Sequence, residues 1–140
     1  GWNVPIHTMS IRNAVWSKEV SAFGKDRVRH FTLRTSGEDI FGPHHVSFIC
    51  DLPEAGRYRL LGKAVLGPDQ GILRVFERDR PAGEPVNLYA AERAIGGPMP
   101  LGTFDMRKGG NIVYLYLVGA DPRSKGMGLD LLELIFERAR

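Results

Sequence analysis

Apolar and polar residues alternate with a period of two along most of the chain, in short runs cut by seventeen Gly and nine Pro. That period belongs to half-buried β-strands. Residues 28–34, 46–52, 57–66, 72–77, 86–89, 101–106, 112–118 and 129–137 read as strands. Within 57–66, Tyr58, Leu60, Ala64 and Leu66 share one face, and Arg57, Arg59 and Lys63 mostly the other. The run 112–118 (Ile-Val-Tyr-Leu-Tyr-Leu-Val) is the most β-prone and is apolar on both faces, which predicts a central strand. Turn chemistry separates the runs, as in 53–56 (Pro-Glu-Ala-Gly), 67–71 (Gly-Pro-Asp-Gln-Gly) and 107–111 (Arg-Lys-Gly-Gly-Asn). Residues 78–85 and 119–128 read as loops, and two Gly and two Pro exclude a helix over 93–100.

Helical patterning is scarce. Residues 90–94 fit one helical turn. Leu132, Ile135 and Phe136 also fit a 3.6-residue period, but Gly126-Met-Gly128 and the sheet pattern before it favour a strand there. Residues 1–10 read as an extended arm and 11–20 as an additional strand holding Trp16. Eight or nine strands at intervals of roughly ten residues predict an all-β, antiparallel β-sandwich of jelly-roll type. The expected organisation is one domain over 1–140, with 1–20 as its N-terminal arm. A parallel α/β fold would need crossover helices that this pattern lacks.

Composition narrows the function classes. A chain of 140 residues suits one domain, and 43% hydrophobic with 25% charged residues is a globular balance. The longest apolar run falls far short of the ~20 residues of a membrane helix. Nineteen Lys+Arg against sixteen Asp+Glu give +3, with the signs interspersed, so neither nucleic acid nor a membrane is an expected partner. Cys50 is the one cysteine, which excludes an internal disulfide and a Cys-rich zinc site. Its place in the alternating set Val46, Phe48, Cys50, Leu52 predicts a buried thiol. The chain begins at Gly1 without a signal-peptide pattern, and the expectation is a piece of a longer protein.

No Gly-x-Ser-x-Gly elbow, His-Glu-x-x-His pair or phosphate loop is present, so no residue is assigned a catalytic role. His44-His45, with Glu38 and Asp39 nearby, has the ligand types of a small metal-dependent hydrolase. Adjacent residues entering a strand point to opposite faces, however, and a solvated loop is favoured. His30 reads as a packed mid-strand residue. Calcium takes six to eight oxygens, and Asp130, at the start of the last strand, is the candidate ligand. The alternative is that Asp130 caps N–H groups of the Gly-rich loop before it. A sugar needs a flat ring for its C–H face and polar side chains for its hydroxyls. Trp2, Trp16, Phe41, Tyr89 and Phe104 are the aromatics near loops or strand ends, and Asn87, Arg93 and Asp105 lie in the same segments. The candidate sugar contacts are Trp16, Tyr89, Asn87, Arg93 and Asp105.

The second half also carries an ordered set of short motifs. Gly56-Arg-Tyr-Arg-Leu60 is followed by Gly83-Glu-Pro-Val-Asn-Leu-Tyr89 and Pro100-Leu-Gly-Thr103. Then come Lys108-Gly-Gly-Asn-Ile112, Val118-Gly-Ala-Asp-Pro-Arg-Ser124 and Gly126-Met-Gly-Leu-Asp-Leu131. Over about 56–136 this order resembles galactose-binding-like modules of the family 6/35 carbohydrate-binding type. It is also similar to jelly-roll portions of bacterial proteins related to difructose-anhydride-forming and arabinofuranose-releasing glycoside hydrolases. The resemblance implies a non-catalytic carbohydrate-binding module of a larger bacterial glycan-active protein, located extracellularly or in the periplasm. Its partners would be carbohydrate or an adjacent catalytic domain, with a homo-oligomer left open. The implied cofactor is calcium, matched here by Asp130 alone, because the early Glu-x-Glu pair of such modules is missing. The alternative is a structural or oligomerisation module that packs against a catalytic domain through its apolar strands.

Overall fold

The structure is a computed structural model describing residues 2–5, 10–12, 17–23, 26–33, 44–77 and 79–139, with side chains from Phe48 onward, Ile49 aside. Twelve strands and no helix are found among these residues. They are β1 (Trp2–Pro5), β2 (Ser10–Arg12), β3 (Ser17–Phe23), β4 (Asp26–Leu33), β5 (His44–Leu52) and β6 (Gly56–Leu66). The remainder are β7 (Ile72–Glu77), β8 (Arg80–Pro81), β9 (Val86–Asn87), β10 (Ala94–Met106), β11 (Gly109–Gly119) and β12 (Leu129–Arg138).

Two antiparallel sheets form. The first runs β10-β6-β12-β4-β3, with β1 also on β12, and the second runs β2-β5-β11-β7-β8, with β9 also on β7. β4 pairs with Leu129–Leu131 of β12, and β1 pairs further along, opposite Glu133 to Phe136. The two inner faces interleave Phe48, Cys50, Leu73, Val75, Val113 and Leu115 from one sheet with Leu60, Leu101, Phe104, Leu131 and Phe136 from the other. Each large side chain removed from water here contributes about 1.5–3 kcal/mol. The all-β sandwich and the central position of β11 agree with the sequence pattern.

β11 lies between β5 and β7 and points Val113, Leu115 and Leu117 inward. Its outward set is Ile112, Tyr114, Tyr116 and Val118, of which Ile112 and Val118 are 44% and 48% exposed. Phe76 packs against Tyr116 on that outer face, ring centroids 4.6 Å apart. On β6, Leu61 and Val65 are buried although they alternate with the core-facing set.

Several expectations change. The strand expected over 101–106 is longer: Ala94 begins a single thirteen-residue strand that pairs along the whole of β6. Two register shifts, between Gly96 and Met99 and between Pro100 and Gly102, absorb its Gly and Pro residues. The helical turn over 90–94 is absent, because the Leu88 and Ala90 amides donate across to Gly71 and Gly67 carbonyls. The polar loop over 78–85 contains β8, paired with Phe76 and Glu77. The arm 1–10 holds β1, and the strand expected over 11–20 is divided between β2 and β3. Trp16, Glu38, Asp39 and Phe41 lie outside the described residues, as do the side chains of Trp2, His30, His44 and His45.

Candidate functional site at one loop end

Three connections leave the same end of the sandwich: 67–71 between β6 and β7, 88–93 between β9 and β10, and 120–128 between β11 and β12. The 67–71 connection is stitched to both of the others. Gly67 N donates to Leu88 O at 3.0 Å and Leu88 N to Gly71 O at 3.0 Å. On the other side, Gly71 N donates to Gly128 O at 2.8 Å, Gly128 N to Asp69 O at 3.0 Å and Lys125 N to Pro68 O at 2.7 Å. Ser124 Oγ lies 2.8–3.1 Å from the carbonyls of Pro68, Gln70 and Gly126. Gly126 passes so close that a Cβ there would sit 3.1 Å from Asp69 O. These contacts fix the loop backbones and hold up the side chains above them.

Asp121 accepts the Arg123 amide at 2.9 Å, an Asx-type turn two residues long. Its carboxylate also takes Arg123 Nε at 3.0 Å, Arg123 Nη2 at 3.1 Å and Asn87 Nδ2 at 2.9 Å. The side-chain bonds from Arg123, then its amide, then Asn87 hold the Asp121 carboxyl well below the usual carboxylate range. Asn87 in turn accepts the Tyr89 amide at 3.0 Å. The Arg123 guanidinium rests over the Tyr89 ring, 4.5 Å from its centroid. The result is a half-exposed ledge of ring and guanidinium, oriented by a carboxylate and an amide.

Beside it, Arg93 Nη2 donates to both Asp69 oxygens at 2.9 and 3.0 Å. Arg93 Nη1 is 3.8 Å from Asp130 Oδ2. Asp130 is 1% exposed and accepts Gln70 Nε2 at 3.0 Å, while Gln70 Nε2 also reaches Val65 O at 3.2 Å. A buried carboxylate needs such partners to stay ionised.

Asn87, Tyr89, Arg93 and Asp130, all expected from sequence, thus meet at one end. Asp105 does not join them. It lies near the far end of β10, ion-paired with Arg57 at 3.2 Å. Arg57 is ten residues along β6 from Gly67, which bridges to Tyr89; that is on the order of 30 Å of strand. Asp69, Gln70, Asp121, Arg123 and Ser124 were not singled out by sequence, although Asp121 to Ser124 fall within the motif that begins at Val118.

For calcium, Asp130 and Gln70 Oε1, which has no hydrogen-bond partner, offer two oxygens. Asp130 Oδ2 is already served by Gln70 and Arg93, and no group of three or more His, Cys, Asp or Glu gathers among the described residues. Six to eight oxygens are needed, so the described residues do not by themselves form a calcium cage.

No protein-family model and no curated protein matches the sequence. Solved structures match its shape. A xanthan lyase from Paenibacillus superposes with a TM-score of 0.77 at 12% identity, covering 98% of this chain and 13% of the lyase. A GH26-CBM35 β-(1,4)-mannanase from Podospora anserina gives 0.61 at 10% identity, covering 99% of this chain and 27% of that one. A family 36 carbohydrate-binding module in complex with calcium and xylotriose gives 0.57 at 12% identity, covering 96% and 98%. The chain therefore has the β-sandwich fold of carbohydrate-binding modules, and it spans a small part of the first two proteins.

Proposed function

We propose that this chain is a non-catalytic carbohydrate-binding module that serves a larger glycan-active protein outside the cytoplasm, with the 67–71, 88–93 and 120–128 loop end as its contact surface. The observation that carries the reading is the Tyr89–Arg123 ledge with Asn87, Asp121, Arg93 and Asp69 around it. A sugar ring presents an apolar C–H face to such a ledge and its hydroxyls to the flanking donors and acceptors. Arg123 and Arg93 are already oriented by carboxylates, so little side-chain entropy is lost on binding. A shallow site of this kind binds weakly alone and gains by tethering to a catalytic domain. Titration calorimetry with soluble neutral and uronic oligosaccharides tests it. Binding is expected to weaken roughly tenfold in Tyr89→Ala, the loss of one stacking ring. Absence of binding to every sugar up to millimolar concentration would refute the reading.

The exposed Ile112 and Val118 on the outer face of β11 favour a second reading, a packing or oligomerisation module. Sedimentation velocity separates the two. A concentration-independent multimer that Val118→Lys dissolves, with no sugar response, would favour the second.

A further inference from the structure

Away from the loop end, a cavity of about 310 Å³ opens where the β10–β11 turn meets the end of β7. Its volume is at the lower edge of the ~300–1,000 Å³ range of small-molecule sites. Phe104 and Met106 are lining residues that belong to the core, while Ile112 and Tyr114 supply half-exposed apolar surface. Glu77 and Asp105 bring carboxylates. Asp105 is held by Arg57, and none of the described ion pairs engages Glu77.

The turn that walls this cavity is locked before any ligand arrives. Asn111 Oδ1 accepts the Arg107 amide at 3.1 Å, and Asn111 Nδ2 donates to Arg107 O at 2.8 Å and Gly109 O at 3.0 Å. Arg107 Nε donates to Gly110 O at 3.0 Å. Gly109, at φ +94°, supplies the left-handed residue the turn requires. A wall so fixed costs little ordering on binding.

We infer that this cavity is a second binding site, for one unit of a neutral sugar, on the opposite end of the sandwich from the Tyr89–Arg123 ledge. The inference rests on the carbohydrate reading and adds a site to it. Ligand chemistry follows from the lining. A wholly apolar ligand would cover the Glu77 carboxylate, which none of the described ion pairs engages, and that is costly. An acidic ligand would meet two carboxylates against one lining guanidinium, that of Arg107, whose Nε is already engaged by Gly110 O. A neutral ring lays its C–H face on Ile112 and Tyr114 and donates hydroxyl hydrogens to Glu77 and Asp105, satisfying both.

Backbone amide NMR of the full chain, titrated with xylotriose, cellotriose and mannotriose, tests this. Saturable shifts are expected at 104–114, separate from those at 67–71, 87–93 and 120–126. Tyr114→Ala is expected to raise the far-end Kd roughly tenfold, and Glu77→Gln to raise it severalfold, each leaving the loop-end Kd within about twofold. Shifts confined to the loop end for all three sugars would overturn the second site while leaving the proposed function intact. So would far-end shifts that survive both variants, or that only charged saccharides produce. A far-end response with a silent loop end would support the second site and refute the proposed contact surface. Silence at both ends would overturn both.

Discussion

Arg123 holds its pose over Tyr89 because Asp121 holds Arg123. Three of the bonds that reach the Asp121 carboxylate come from that one residue, and together with Asn87 they stabilise its charged form. A carboxyl whose pKa is lowered on folding adds stability above its ordinary pKa, about 3.9. That stability is lost as pH falls through the folded value. The Asp121 carboxyl carbon is therefore expected to remain in its ionised position at pH 3 in an NMR titration. A midpoint near 4 would show that the Arg123 bonds do not persist in solution. Cys50 shifts the other way, its thiol pushed up to about 12 by burial and then by Asp51. Its burial was legible, because alternation with Phe48 and Leu52 set its face. The Asp121 pairing was not. Asn87 and Asp121 are 34 residues apart, as Arg93 and Asp69 are 24, and no local period encodes contacts between loops. Residue type near loops named Asn87, Tyr89 and Arg93 as candidates, while the contacts that bring Asp69 and Asp121 to them follow from the topology.

At the scale of the element, β12 is irregular. Leu131 pairs with Ala64 but Glu133 with Lys63, so β12 carries one extra residue at Leu132. The bulge switches the inward parity: Leu129 and Leu131 face the core before it, Leu134 and Phe136 after it. Of the residues that fit a helical period, only Phe136 belongs to that inward set; Leu132 is the bulge residue and Ile135 is buried outside the core cluster. Phe136, fully buried and edge-on to Tyr58 at 6.4 Å, is expected to cost about 3–5 kcal/mol when replaced by Ala. Leu132, half-buried at the bulge, should cost well under half of that on the same change. Urea denaturation of the two variants measures the difference, and equal losses would contradict the parity switch. β10 begins seven residues before the strand expected over 101–106. Its Gly and Pro residues look like punctuation, yet pairing with β6 continues through two register shifts.

Across the whole molecule, the two ends differ in build. The loop end joins three connections through backbone bonds and Ser124. At the other end, among the described residues, Asn111 ties the 107–111 turn, and Tyr58 and Arg138 each bond Glu54 in the 53–55 connection. Ser124→Ala removes a hydroxyl set among three carbonyls, with an expected loss of about 1–3 kcal/mol. Because 67–71 bridges its neighbours, faster amide exchange is expected at Gly71 and Leu88 as well as around residue 124. Exchange confined to 120–128 would mean that the stitching carries no cooperativity. The two-layer architecture was legible in the alternation itself; which connections share an end follows from strand direction and order, which periodicity does not supply.

That stitching bears on how such a surface can be redesigned. Grafting a foreign 120–128 segment would strip Gly71 N, Asp69 O and Pro68 O of their partners, and the disturbance would reach the residues next to Tyr89. New specificity would have to be imported as a cassette of three segments exchanged together, or confined to outward side chains that leave every main-chain donor and acceptor where it is.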